Sequence, residues 1–167
     1  MTFARARAHR IGVAGDLTAA IDRVLTLGIV ALTAEQAGGA QKCLELSVDY
    51  AKTRLQFGRP IGSYQAIKHR CADMLGLVEF AKSAAYHAAF CAAADDAAEL
   101  AAAASVAKSY CSEAYFQVAA DTIQVHGGMG FTWEHPAHLY FKRAKSSGLL
   151  FGDAVAHREK VARLIGV

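Results

Sequence analysis

The densest group of chemistry-bearing residues is QVHGGMGF, residues 124–131. Three glycines in four positions offer either a bare backbone surface for a phosphate or a plain helix stop. GGMG does not match GxGxxG, no GxxxxGK is present, and no strand pattern precedes the segment, so both phosphate-loop readings fail on context. From the residues alone a helix C-cap remains, with glycine in the left-handed conformation. Downstream, His135 and His138 form HxxH. Bundle metal sites draw carboxylates and histidines from facing helices, commonly as ExxH, and no glutamate here has a histidine three residues later, so no metal site is expected. Lys142, Arg143 and Lys145 read as a solvated face, Trp133 as a packing anchor, and Ser146-Ser147 as loop residues. No Ser/His/Asp arrangement has local support. Arg54 by itself reads as a surface arginine at a helix C-terminus, favoured by the macrodipole.

The elements that must position these residues are helices. Leu25, Ile29, Leu32, Gln36, Gly39, Cys43, Leu46 and Tyr50 step by three and four, giving one apolar stripe. Ile67, Cys71, Met74, Val78, Ala81, Ala85, Ala88 and Ala92 repeat the pattern, as do Leu100, Ala104, Ala107, Cys111, Ala114 and Val118. Gln36 and Gly38-Gly39 read as helix–helix packing features. Asp16 is placed to cap the first helix, FGRPIGS (57–63) ends it, and Ser63 is placed to cap the second. Asp96 and Glu99 form a capping box for a third helix that stops at Gly127-Gly128. Shorter helices fit 136–146, opened by Pro136, and 153–164. Nothing reads as a strand after residue 15. Three long and two short helices with short connections predict an all-α, antiparallel four-helix-bundle architecture over residues 16–167, preceded at 1–15 by a tail or a remnant of a preceding domain.

Composition narrows the function classes. Eighteen basic and 15 acidic residues give a net charge of +3 with the signs interspersed, and no basic stripe with interleaved aromatics argues for nucleic acid. The N-terminal MTFARARAHR, with Arg5, Arg7 and Arg10, lacks the apolar core of a secretory signal. The most apolar region, 83–107, is broken by His87, Asp95, Asp96 and Glu99, so no membrane span is expected. Cys43, Cys71, Cys91 and Cys111 form no CxxC pair and read as reduced, buried residues of a cytoplasmic protein.

Two segments, YAKTRLQFGRPIGSYQAIKHRCADM (50–74) and QVHGGMGFTWEHPAHLYFKRAK (124–145), carry a family resemblance. Arg-x-x-Phe-Gly with a downstream Gln, followed by Gln-x-x-Gly-Gly-x-Gly-Phe, resembles the C-terminal helical domain of the acyl-CoA dehydrogenase family from about Leu17 to the end. The resemblance implies oligomerisation, commonly as a dimer of dimers, and contacts to FAD bound mainly to a neighbouring subunit. Arg54 matches the arginine on the flavin pyrophosphate, where a guanidinium fork suits phosphate oxygens. Phe57 and Gln65 match positions lining the cofactor, and Gln124, Gly127 and Gly128 match those approaching its adenosine part. On this view the glycines both end a helix and face a dinucleotide.

The family's reaction needs a carboxylate to take the α-proton of an acyl-CoA thioester while the β-hydrogen leaves as hydride to the flavin. At the spacing the resemblance implies, Phe151 stands where that base is expected, and a second family placement, on the first helix, falls at about Gly28-Ile29. Neither is a carboxylate. Glu35 and Asp153 are the replacement candidates. The chain also lacks room for the family's N-terminal helical and middle β domains, so a fragment, a truncated product or a short subunit is expected. Leu149, Leu150 and Phe151 make an apolar run that resembles the base-lacking subunits of heteromeric actinobacterial-type acyl-CoA dehydrogenases, enzymes that often act on sterol-derived thioesters. The resemblance thus implies an FAD-contacting, base-lacking part of an acyl-CoA dehydrogenase of fatty-acid or sterol side-chain oxidation, a homo- or hetero-oligomer. A helical oligomerisation module without cofactor is the alternative.

Overall fold

Only Pro60 and Pro136 interrupt an alanine-rich chain, so little in the backbone chemistry stops long helices from propagating. The computed structural model describes residues 4–7, 9, 12, 15–94 and 96–167. Arg10, much of the 1–15 tail and Asp95 lie outside the described residues. Helix α1 spans Thr18–Thr53, α2 Gln65–Ala93, α3 Ala97–His126, α4 Ala137–Leu149 and α5 Ala154–Leu164. The all-α reading is borne out. Among the described residues, no helix is long and apolar enough to cross a membrane.

Side-chain partners fix the helix directions. Gln36 meets Ser112, Ser47 meets Thr122 and Tyr50 meets His126, so α1 and α3 run parallel. Arg70 pairs with Asp121, Phe80 packs on Tyr110 and His87 lies on Glu99, so α2 is antiparallel to both. Lys108 bonds Gly148 and Phe116 packs on Phe141, which sets α4 antiparallel to α3. The result is an up-down-up-down bundle around α3, with α5 laid on its outside through Arg158 and Glu113. All six stripe residues of α3, from Leu100 to Val118, are buried.

The core is built on small side chains that let helix axes approach. At Gly39 an added Cβ would lie 2.5 Å from the ring of Tyr115, itself a fully buried side chain. Gly39 is therefore the packing glycine expected, whereas Gly38, expected beside it, faces open space. Gln36 is buried and donates to Ser112 and Ser147 at 3.1 and 3.2 Å. Cys43, Cys91 and Cys111 are buried and unpaired, and Cys71 is only half-buried. Burial pushes the Cys43 and Cys111 thiols up to about 12, which keeps them protonated and inert at neutral pH.

Several local expectations need correction. A two-stranded hairpin, β1 Leu55–Gln56 and β2 Arg59–Pro60, sits where no strand was expected. Ser63 does not cap α2: its hydroxyl donates to the Pro60 carbonyl, and Tyr64 occupies the cap position without a side-chain bond. Asp96 accepts from the Glu99 amide at 3.1 Å, as expected of a cap, whereas the cap position of α1 falls to Leu17 and Asp16, one residue ahead of it, accepts from the Thr18 amide at 2.8 Å. Ser147 is a buried residue inside α4, drawn there by its bond to Gln36, and α4 runs three residues past the expected end at 146. Trp133 is no packing anchor: it is 80% exposed, with the Lys142 ammonium 4.2 Å over its ring.

Gly39→Ala forces Tyr115 from its site and lowers stability by about 1–3 kcal/mol. Gly38→Ala, in an open helix interior, raises stability by up to about 1 kcal/mol. Urea unfolding of the two variants checks both signs, and equal effects would contradict the packing described.

Candidate functional site

Helix α1 stops because Arg54 leaves the helical region, with φ −73° and ψ 121°. Its carbonyl then accepts from the Ile61 amide at 2.8 Å, which closes the hairpin back on itself. Gln56 pairs with Arg59, leaving Phe57-Gly58 as a two-residue loop with φ of 53° and 80°. Positive φ at both positions matches the right-handed twist of a hairpin, and Gly58 adopts it freely. Phe57 does not, since a bulky residue there is strained. Its ring is nonetheless 93% exposed and touches Tyr64 only edge-on at 6.5 Å. Tyr64 holds the hairpin: its hydroxyl donates to the Gln56 carbonyl and its ring lies 4.1 Å beneath the Arg59 guanidinium. Gln65 opens α2 at the surface, and Arg54 is exposed. The Arg54 side chain makes no ion pair among the described residues.

At the end of α3, the backbone tightens into a 3-10 turn at Gly127–Phe131. Gly127 takes φ 59°, the left-handed cap that its sequence context implied. Side-chain space at Gly127 and Gly128 is open, so the backbone there is bare to any approaching group. Gly130 serves a different end: an added Cβ would lie 2.8 Å from the Ile123 carbonyl, which makes it a packing glycine. Gln124 is exposed and lines a cleft of about 410 Å³ with Phe131, Trp133, His138 and Lys142.

The two motifs, some seventy residues apart in the chain, meet at one end of the bundle. Tyr50, one turn before Arg54, stacks on His126, the residue before Gly127, at 4.4 Å between centroids. The His135 ring also packs against His126, tilted, at 4.2 Å between centroids, and its Nδ1 accepts from the Ala137 amide at the start of α4. His135 and His138 are thus used as a stacking partner and helix cap and as an edge against Trp133.

The positions considered for a base lie elsewhere, where α1 passes the α4–α5 connection. Phe151 adopts φ 59°, and the buried His157 imidazole donates through Nε2 to its carbonyl at 3.0 Å. On the other flank, the buried Lys108 ammonium donates to the Gly148 carbonyl and to Ser112, each at 2.9 Å, and complements the negative end of α4. Two buried side chains therefore clamp the loop and hold Phe151 in a conformation a bulky residue rarely takes. Its ring lies 3.5 Å from where a Cβ on Gly28 would be. The two positions considered for a base, far apart in sequence, are neighbours in space.

Glu35 and Asp153 are both otherwise engaged. Asp153 caps α5, accepting from the Ala156 amide at 2.9 Å. Glu35 forms a two-pronged ion pair with Arg143, both contacts 2.6 Å, and the bonded guanidinium holds its carboxyl below the usual glutamate value. A carboxylate so stabilised is a poorer proton acceptor. Lys142, Arg143 and Lys145 are exposed as expected, but each has a partner, in Trp133, Glu35 and Phe116 respectively. Asp22, not singled out in the sequence, is the carboxylate on a cleft of about 360 Å³ lined also by Phe151, His157, Lys160 and Arg163. No local motif marks it, because the cleft forms only once α5 docks on α3 and comes to lie beside α1.

Residues 17–166 match the family model described as acyl-CoA dehydrogenase, C-terminal domain. The chain is 48% identical over 135 residues to the acyl-CoA dehydrogenase IpdE2 of Mycobacterium tuberculosis, covering 81% of this chain and 39% of that protein. It is 48% identical over 143 residues to the acyl-CoA dehydrogenase FadE34 of the same organism, covering 86% of this chain and 20% of that protein. Among solved structures it superposes on a chain of the ChsE4-ChsE5 complex of M. tuberculosis with a TM-score of 0.84 and 33% identity, covering 89% of this chain and 40% of the other. The chain belongs to the acyl-CoA dehydrogenase family and spans at most about two fifths of the length of these relatives.

Because the folded-state pKa of Glu35 is depressed, its pair with Arg143 stabilises the fold above the unfolded glutamate pKa and ceases to do so as pH falls through the folded value. Glu35→Gln therefore lowers stability at neutral pH by less than about 1 kcal/mol, as for an exposed pair. The difference from the parent shrinks to nothing in acid, below the ordinary glutamate range. Denaturant melts from pH 7 downward check this, and a gap that persists in acid would contradict it.

Proposed function

We propose that this member of the acyl-CoA dehydrogenase family is a C-terminal helical domain that completes an FAD site shared with a partner subunit and supplies no base at the usual positions. The observation that carries the reading is the stack of Tyr50 on His126, which brings Arg54, Phe57 and Gln65 to the same bundle end as Gln124, Gly127 and Gly128. The residues present fit the group. An exposed guanidinium with no ion pair among the described residues suits a pyrophosphate. Bare backbone at Gly127-Gly128 leaves room for an adenosine moiety. The strained, exposed Phe57 gains a reason for its conformation if its ring lies against a cofactor. FAD, when bound, accepts a hydride from the β-carbon of an acyl-CoA.

The contact between Phe151 and Gly28 supports the second half of the reading. Both family placements of the base converge on one spot, and this chain puts a phenyl ring there. A phenyl ring takes no proton, and on this reading the α-proton goes to a group of another chain or domain. The named ChsE4-ChsE5 complex gives the heteromeric arrangement a precedent in the family. Sterol or fatty-acid thioesters, a hetero- or homo-oligomer and a cytoplasmic setting complete the proposal, with residues 16–167 as the helical domain.

In the complex assembled with its co-purifying subunits, Arg54→Ala weakens FAD binding by about tenfold to a hundredfold, as for the loss of a hydrogen bond to a charged group, and Gln124→Ala weakens it by about threefold to tenfold, as for a neutral one. Flavin absorbance per assembled complex during FAD titration is the readout. Unchanged affinity in both variants contradicts the site, and an oligomer that takes up no flavin under any condition favours the cofactor-free scaffold.

A further inference from the structure

At the opposite end of the bundle from the motif cluster, where α2 ends at Ala93 and α3 begins at Ala97, three side chains of different chemistry converge. His87 and Cys91 stand four residues apart on α2, on one helix face. Glu99 stands in the first turn of α3. The Nε2 of His87 lies 3.3 Å from the Glu99 carboxylate and 4.0 Å from the Cys91 sulfur. One ligand atom from each of the three falls within 4.8 Å of the others. His87 and Glu99 are exposed, whereas Cys91 is 1% exposed at the edge of the alanine core formed with Ala88, Leu100 and Ala104.

We propose that His87, Cys91 and Glu99 form a site for a zinc-class divalent cation that staples the α2–α3 turn. Imidazole, thiolate and carboxylate are the three donor types of zinc sites. Zinc bond lengths of about 2.0–2.3 Å place ligand atoms of a tetrahedron about 3.3–3.6 Å apart, so closing the site asks for movements of about an ångström. The two mobile ligands are the exposed ones, free to swing inward, while the sulfur is fixed by core packing. Binding forms one metal–sulfur bond and releases the Cys91 thiol proton to solvent, with no change of oxidation state. Three protein ligands leave the fourth position to water or to an external anion. The ion would join the end of α2 to the start of α3, and its function is structural.

The test is a titration of the purified chain, metal-free at the outset, with Co(II) as probe. A thiolate-to-cobalt charge-transfer band with tetrahedral visible absorption, saturating at one ion per chain and displaced by Zn(II), is expected. Cys91→Ser abolishes the charge-transfer band, and His87→Ala, an exposed position that leaves folding intact, weakens binding at least tenfold. His138→Ala, in the other histidine pair, changes nothing. Stoichiometric Zn(II) raises the melting temperature of the parent and not of Cys91→Ser. Absence of the band in the parent overturns the proposal. So does a band unchanged in His87→Ala, since the three residues would then not act together.

Discussion

The rest of the molecule depends on how closely its helices can approach α3. From Ala104 to Val118 the periodic stripe of that helix holds nothing larger than valine, with Lys108 and Tyr115 the large side chains buried beside it, and α1 answers with Gly39. Small residues bring the backbones together, and the space gained is filled by one large ring, Tyr115. Close approach has a consequence for polar groups. Water is excluded from the seams, so each buried hydroxyl, amide and ammonium needs a protein partner. Gln36, Ser112, Ser147 and Lys108 supply one another, and in doing so tie α1, α3 and the end of α4 into one network.

That network links the core to Phe151, the residue standing where the family resemblance places a base. Lys108 at Gly148 and His157 at the Phe151 carbonyl fix both flanks of the α4–α5 connection. Phe151 is therefore held rigidly beside Gly28, in a backbone conformation that a loose loop would abandon. A phenyl ring so positioned is a wall. The division of labour proposed for the assembled enzyme follows from this: cofactor contacts at one end of the bundle, an apolar wall beside α1, and proton abstraction by another chain or domain.

Much of the fold was legible because long amphipathic helices announce themselves by period. The α3 stripe was readable residue by residue, and Asp96 caps where its chemistry says it should. The hairpin at 55–60 was not legible, since two-residue strands have no period and its loop places phenylalanine, not asparagine or glycine, at positive φ. Ser147 was misread as a loop residue because serine carries no sign of the buried glutamine that receives it. In the candidate site, Arg54 and the glycines were found through motif resemblance, whereas their convergence through Tyr50 and His126 is a tertiary fact. Asp22 and His157 gave no local signal, because both owe their place to the docking of α5.

The central claim, a cofactor surface at the Tyr50–His126 end and a phenyl wall in place of the base, is tested most directly by the structure of the assembled complex with FAD bound. The account predicts the flavin pyrophosphate within ion-pair distance of Arg54, the adenosine part over Gly127-Gly128, and no carboxylate of this chain beside the reacting flavin ring. FAD lodged away from that end of the bundle, or a carboxylate of this chain poised at the ring, would contradict it.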